Sequence, residues 1–258
     1  MLHQLLTNIR HVAQNYALVT TAFLALTLWW RFRPGRRQRL QAKPIGLPQI
    51  RREVLTSIVS IVVLGSVTPA AFALGLGRHT HFYQSVHAYG RGWGFIALMV
   101  LLMMVVIQDT WFYWTHRLMH HRRLFRWAHR THHRSTNTGP LPTYSISPLE
   151  AVIDSGASIV ILLVLPVTFW SLIIFTWINT SFAVYTHLGY ELFPRAMSKH
   201  WLGRWINTST AHNTHHARGR YNYSWYFLFW DRMLGTLSPD YDEHYRKAGF
   251  SAPEAKSR

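Results

Sequence analysis

Five apolar runs restrict what this chain can fold into before any other feature enters. Residues 16–30 (YALVTTAFLALTLWW) form the first, 54–76 the second, 95–115 the third, 149–165 the fourth and 168–186 the fifth, with Pro166 between the last two. At 1.5 Å per helical residue, the second and third are long enough to cross a hydrocarbon core of about 30 Å. The fourth and fifth, at about 17 and 19 residues, are short for a span but sufficient. The first run needs residues before Tyr16 to complete a crossing. It does not read as a signal peptide, because its basic cluster follows the apolar run instead of preceding it. The expected fold class is an all-α integral membrane protein, with about four to five transmembrane helices and a cytoplasmic, histidine-rich helical cap.

Basic residues beside the runs give the orientation, since Lys and Arg accumulate in cytoplasmic loops. Residues 31–52 hold Arg31, Arg33, Arg36, Arg37, Arg39, Lys43, Arg51 and Arg52, which places this loop in the cytoplasm. Residues 77–94 hold only Arg78 and Arg91 and belong outside. The third run returns the chain near His116, where Arg117, Arg122, Arg123, Arg126, Arg130 and Arg134 follow. The two runs around Pro166 go out and back, and deliver His187 to the same face. A net charge of +17 is thereby read as loops facing anionic lipid, not as a nucleic-acid surface. The absence of cysteine excludes disulfides, thiolate metal sites and iron–sulfur clusters within the chain. No Gly/Ser-rich linker divides the sequence into separate units.

Within this frame the spacing His-x-x-His-His occurs twice, in AHRTHHR at 128–134 and in AHNTHHAR at 211–218. Histidine fills 17 of 258 positions, and chance then supplies only about 0.07 matches to that template. On a helix, positions i, i+3 and i+4 share a face. His129, His132 and His133 can therefore aim at one point, as can His212, His215 and His216, and the i, i+4 pair His116 and His120. Neutral imidazole is a common ligand for iron, zinc and copper. Eight such histidines exceed the needs of one tetrahedral zinc, whereas two neighbouring ions would use them. His187 follows the fifth apolar run directly, in YTHLGYE, and joins them as a ninth candidate. For His3, His11, His79, His81, His87, His121, His200 and His244 a surface or supporting role is expected. The His-Glu-x-x-His protease signature and the Glu-x-x-His pairs of carboxylate di-iron bundles are both missing. What remains is an all-histidine dinuclear site at a membrane surface. A non-enzymatic metal-binding or metal-transport protein is the alternative, and it calls for ligands inside the spans.

DTWFYWTHRLMHH at 109–121, HRTHH at 129–133 and HNTHH at 212–216 resemble, in order and spacing, the three histidine boxes of the membrane-bound fatty acid hydroxylase/sterol desaturase superfamily. PLE at 148–150, HLGYELFP at 187–194 and NYSWYFLFWDRMLGTL at 222–237 resemble its flanking text. The resemblance covers residues 95–240, and suggests a membrane region at 1–94, a catalytic domain at 95–240 and a tail at 241–258. It implies a non-haem di-iron centre that uses O2 to hydroxylate or desaturate a C–H bond of a membrane lipid, such as a fatty acyl lipid or sterol. The ligands it implies are His116, His120, His129, His132, His133, His212, His215 and His216, with His187 matching a less constrained position. Ser147 stands where the family pattern often carries a further histidine. With no dinucleotide fingerprint, haem motif or cysteine in the chain, electrons must come from a separate ferredoxin, cytochrome-type or reductase donor. Asp109, Glu150, Asp154 and Asp231 are expected to hold the second ring nitrogens of the ligands. Trp111, Phe112, Tyr113, Trp114, Trp225, Tyr226, Phe227 and Trp230 are expected mostly as an interfacial aromatic belt, some of them beside a lipid entrance.

Overall fold

The computed structural model describes residues 2–31, 39–41, 43–83 and 85–248. Arg33, Arg36 and Arg37 of the basic loop, and residues 249–258 of the tail, lie outside the described residues. Helix α1 (Leu2–Arg31) begins well before Tyr16, so the first apolar run is the second half of a 30-residue helix. Helices α2 (Leu47–Ala73) and α3 (Trp93–Met119) follow, and Pro48 opens α2 where a missing amide proton costs nothing. These three helices are long and apolar enough to cross a membrane. Leu55, Val59, Phe95, Leu102 and Val106 point outward from them, a surface that water would not tolerate and lipid does. The protein is an integral membrane protein, and among the described residues it is helical, with isolated bridges but no strand.

After α3 the chain forms two single-turn helices, α4 (Phe125–Ala128) and α5 (Arg130–His133), then two longer ones. Helix α6 (Pro148–Val164) has 17 residues and α7 (Phe169–His187) has 19. The sequence marks each start. Ser147 accepts from the Glu150 amide at 3.1 Å, and Thr168 and Ser171 form a reciprocal capping box. Val100, Met104, Ile161, Leu162, Val167 and Phe175 join α3, α6 and α7 in one apolar core. Tyr16, Val19, Ile61 and Val184 join α1, α2 and α7 in another.

Hydrogen bonds define two ends of the bundle. At one, the α2–α3 connection folds over the α6–α7 turn: Tyr83 N donates to Val167 O at 2.8 Å, His81 N to Leu162 O at 3.3 Å, and the Tyr89 hydroxyl to Pro166 O. At the other, the α1–α2 connection meets the histidine-bearing segments. Leu40 N donates to Gly189 O at 2.9 Å, Arg39 Nη2 to Thr138 O at 3.1 Å and Gln49 Nε2 to Asn137 O at 2.8 Å. Helices α8 (Ser209–Arg218), α9 (Phe229–Met233) and α10 (Tyr241–Ala248) complete a cap at this second end, packed around Ala211, Leu228, Tyr241 and Tyr245.

Helices α1 and α2 approach closely, backbone against backbone. A Cβ on Gly65 would stand 2.7 Å from Ile9 Cα and 2.9 Å from Ile9 N, both backbone atoms that cannot rotate away. Gly65→Ala is expected to wedge the two helices apart at a cost of about 1–3 kcal/mol, the usual range for overpacking. A thermal midpoint in detergent equal to that of the unaltered protein would show that α1 and α2 do not depend on this approach.

Candidate metal centre

Helix α3 carries His116 in its last turn and ends with His120 as its C-cap, so the i, i+4 pair faces inward over the cap. In the second box the helix is not continuous. His129, at φ −122°, joins α4 to α5 and lets the chain turn between them. In the third box α8 is a continuous helix capped by Thr208, and every residue from Ser209 to His216 is buried. A helix this polar would normally lie at the surface; here its polar groups face a polar interior.

All nine histidines singled out above come together, in two groups. His116, His120, His129, His133 and His215 form one, His132, His187, His212 and His216 the other, and within each the ligand atoms lie within 4.8 Å of one another. The expectation that each box aims at a single point is corrected. In the second box His129 and His133 enter the five-histidine group while His132 enters the other. In the third box His212 and His216 enter the four-histidine group while His215 crosses to the first. The reason is helical: residues i and i+4 are nearly eclipsed, whereas i+3 and i+4 are about 100° apart and flank a ridge. Each box therefore gives two rings to one group and one to the other, in opposite senses. His116 and His120 complete the first group and His187 the second.

The ring nitrogens suit a cation. His116 Nδ1 donates to Tyr223 O at 2.8 Å, His215 Nδ1 to Tyr221 O at 2.6 Å and His187 Nδ1 to Ala183 O at 2.7 Å. A carbonyl only accepts, so the proton of each of these rings sits on Nδ1 and the Nε2 lone pair is bare. His129 Nδ1 is likewise held by Glu150 Oε1 at 2.6 Å. Yet the Nε2 atoms converge: 2.9 Å for His116–His129, 3.0 Å for His133–His215 and 3.1 Å for His120–His215 in the first group. In the second, His187 Nε2 lies 2.9 Å from that of His212 and 3.2 Å from those of His132 and His216. Bare lone pairs this close repel unless a positive ion lies between them. Imidazole–metal bonds of about 2.1 Å at right angles would set neighbouring nitrogens about 3.0 Å apart, so both groups fit a metal ion. His120 and His133 are half-buried and give the first group a solvent edge, whereas all four rings of the second are buried.

Of the four acids expected behind the ligands, Glu150 alone touches a box histidine in the described contacts. Asp109 accepts from the amides of Tyr226 and Phe227 at 2.6 and 3.0 Å, and Asp231 from those of Tyr223 and Ser224 at 2.9 and 3.0 Å. They act one step further out, by pinning the 221–227 loop whose carbonyls orient His116 and His215. Asn222 makes the turn between those carbonyls with a left-handed φ of 61°, and its side chain is fixed by Ala211 O at 2.9 Å and the Ser238 amide at 2.8 Å. Asp154 shows no hydrogen bond to a ring, and its Oδ1 is buried without a partner. Ser147, in place of a further histidine, donates to Ala128 O at 2.6 Å and caps the turn that carries Glu150. Glu191 escaped the sequence reading, although it lies inside the quoted HLGYELFP. It accepts from Thr210 N and Oγ1 at 3.1 and 2.7 Å and from the Tyr185 hydroxyl at 2.9 Å, anchoring the start of α8 to the end of α7. Of the aromatics, Phe112 and Tyr113 are buried beside the site and Trp114 is exposed.

Comparison with known proteins follows the same segment. The family model described as fatty acid hydroxylase matches residues 101–236. The chain is 26% identical over 200 residues to a Delta(7)-sterol 5(6)-desaturase of Gibberella zeae, covering 77% of this chain and 59% of that protein. It is 26% identical over 192 residues to lathosterol oxidase of Homo sapiens, covering 73% and 61%. With methylsterol monooxygenase 1 of Danio rerio the identity is 30% over 145 residues, covering 54% and 47%. The chain thus spans about three fifths of the length of the sterol desaturase and the lathosterol oxidase that it matches. No solved structure matches it.

Burial keeps the histidines neutral. It holds His120 at about 4, and, helped by repulsion from His120, holds His133 at about 3, against the ordinary 6.5. Burial also pushes His129, His132, His212, His215 and His216 well below that value, with neighbouring rings adding to the effect. Because the folded values lie below the unfolded one, the unfolded chain binds more protons in acid, and stability falls as pH drops. In the metal-free protein the histidine contribution to stability is expected to be complete above about pH 6.5 and to be lost progressively towards about pH 4. Its thermal midpoint across that window measures this; a flat profile would mean that the rings take up protons without unfolding.

Proposed function

The chain belongs to the fatty acid hydroxylase family, and on that premise we propose that it is an O2-dependent oxidoreductase holding two iron ions. Its reaction is the hydroxylation or desaturation of a C–H bond in a membrane lipid. The observation that carries this reading is the reciprocal sorting of the two His-x-x-His-His boxes into groups of five and four rings. One set of rings would have served a single ion; the crossing of His132 and His215 ties two sites into one rigid unit. Bound iron would supply the O2-activating oxidation that no amino-acid side chain provides. The protein's own part is to fix nine neutral rings, to keep the four-histidine group dry, and to bring apolar Phe112 within 4.7 Å of His116 between ring centres. The relatives' names, a sterol desaturase, an oxidase and a methylsterol monooxygenase, favour a sterol or another rigid lipid over a simple acyl chain.

The arrangement supports a catalytic unit over residues 95–240, with 1–94 adding two spans and a basic loop, while the first part of the expected tail, α10, packs into the cap. In this reading α6 and α7 cross as a short hairpin, for about five spans in all, with local bilayer thinning or tilt making up the length. Arginine distribution favours a cytoplasmic cap. Electrons then come from a separate ferredoxin, cytochrome-type or reductase protein, received at the half-buried edge formed by His120 and His133. A metal transporter is disfavoured because His116 and His187 sit in the last turns of α3 and α7 and the other rings lie in the cap.

Anaerobically purified protein is expected to carry about two irons per chain, as a two-metal site requires; a single zinc without iron would refute the proposal. His132→Ala and His215→Ala each remove the crossing ring of one box, and each is expected to abolish lipid oxidation while leaving membrane insertion intact. Mass spectrometry of lipids from cells with and without the gene reads the product, as a gain of one oxygen or a loss of two hydrogens.

A further inference from the structure

Tyr113 is one of several tyrosines buried inside this structure. It is 0% exposed, yet its hydroxyl is wired to a buried carboxylate: it lies 3.0 Å from Thr236 Oγ1, which donates to Asp231 Oδ1 at 2.7 Å. With the Thr236 proton committed to Asp231, Tyr113 is the donor to Thr236. Arg117 Nη1 also donates to the Tyr113 oxygen, at 3.2 Å. Packing alone would be served by phenylalanine. A tyrosine with a proton acceptor two hydrogen bonds away is instead equipped to lose an electron, because its phenolic proton has somewhere to go.

The rings around it form a continuous line. On one side, Tyr113 lies 6.4 Å from Tyr223 between ring centres, and Tyr223 lies 5.2, 5.5 and 5.7 Å from His120, His215 and His116 of the five-histidine group. On the other, Tyr113 meets Trp114 directly at 5.5 Å and also through Trp230, on which it stacks at 5.8 Å and which lies 5.7 Å from Trp114; Trp114 is 48% exposed near the cap end of α3. The line therefore runs from the candidate metal group to the surface through the two most easily oxidised kinds of aromatic side chain.

We propose that Tyr223, Tyr113 and Trp230 form a proton-coupled electron relay between the five-histidine group and the surface at Trp114, which drains oxidising equivalents when no lipid C–H bond is in place. One electron passes from Tyr113, through the Tyr223 ring, to the oxidised centre. The Tyr113 O–H bond breaks, its proton moves to Thr236, and the Thr236 hydroxyl proton moves to Asp231. Trp230 then returns an electron to the neutral Tyr113 radical, and Asp231 returns the proton along the same path. A soluble thiol reduces Trp230 by way of Trp114, giving up one electron and releasing its proton to water. The source of the oxidant rests on the function proposed above; the relay itself is tested without it.

In metal-free, full-length protein in lipid nanodiscs, a ruthenium polypyridyl photo-oxidant with a sacrificial acceptor generates a tryptophan radical at the surface. The expected result is its decay into the sharp visible absorption of a tyrosyl radical. Tyr113→Phe, which keeps an aromatic ring in place, is expected to lose that signal, as is the double variant Trp114→Phe with Trp230→Phe, which removes both tryptophan contacts of Tyr113. Thr236→Val is expected to slow it and to remove its solvent deuterium effect. A hole that stays on tryptophan in the unaltered protein, or a tyrosyl signal unchanged in Tyr113→Phe, would overturn the relay and leave the line of rings as packing. In a second arm, iron-loaded protein receives O2 and reductant without lipid, and peptide mass spectrometry counts oxidised histidines. More damage in Tyr113→Phe than in the unaltered protein supports the draining role, and equal damage overturns it. Absence of O2 uptake in that arm strikes the proposed function, while the photochemical arm still decides the relay.

Discussion

The structure depends on where one proton sits on each of a few imidazoles. Tyr223, Tyr221 and Ala183 offer carbonyl oxygens to His116, His215 and His187, which fixes the proton on Nδ1 and leaves Nε2 facing inward. Inward-facing lone pairs at about 3 Å are a strained arrangement in an empty site and a favourable one around a cation. The backbone at these carbonyls must therefore be held as firmly as the rings. That requirement accounts for Asp109 and Asp231, buried carboxylates spent on loop amides rather than on histidines, and for the left-handed Asn222 between the two carbonyls. Local strain of this kind persists only where surrounding contacts over-determine it.

The same requirement shapes the fold around the site. A helix of Ser, Thr, Asn and His would not bury itself for hydrophobic reasons, yet α8 is buried from Ser209 to His216. It is drawn in by specific partners: Glu191 at its first turn, Thr208 as its cap and the opposing rings along its length. Apolar packing around Leu228, Tyr241 and Tyr245 closes the cap over it. The spans beneath follow ordinary rules, with small residues such as Gly65 allowing backbones to approach and bulky apolar side chains left for lipid. Stability thus comes from two sources. Lipid-facing helices need only continuous apolar sequence, while the cap needs nearly every polar atom paired.

How much was legible in the residues varies along the chain for physical reasons. The apolar runs located α3, α6 and α7 to within a few residues, because in lipid a helix must be both long and apolar, whereas α2 starts seven residues before its run, at Leu47, ahead of the basic pair Arg51 and Arg52. The start of α1 was not legible, since Leu2 to Asn15 mixes polar and apolar residues and its inward contacts decide the boundary. The nine histidines could be picked out by spacing and topology, and all nine are brought together. Their division between the groups could not, because i, i+3 and i+4 share a broad face and only the position of the opposing helices tells which side of the ridge each ring takes. Glu191 and the loop-pinning roles of Asp109 and Asp231 left no periodic signal, as each acts on backbone amides far away in sequence.

By itself, then, the sequence determined a helical membrane protein with a set of imidazoles able to reach one region, because hydropathy and helical period act locally along the chain. Tertiary structure alone decided that the two matching boxes cross, that His187 closes the second group, and that carbonyls of the 221–227 loop set the protonation of His116 and His215. These are relations between elements up to a hundred residues apart, and no local property of the chain encodes which faces will meet.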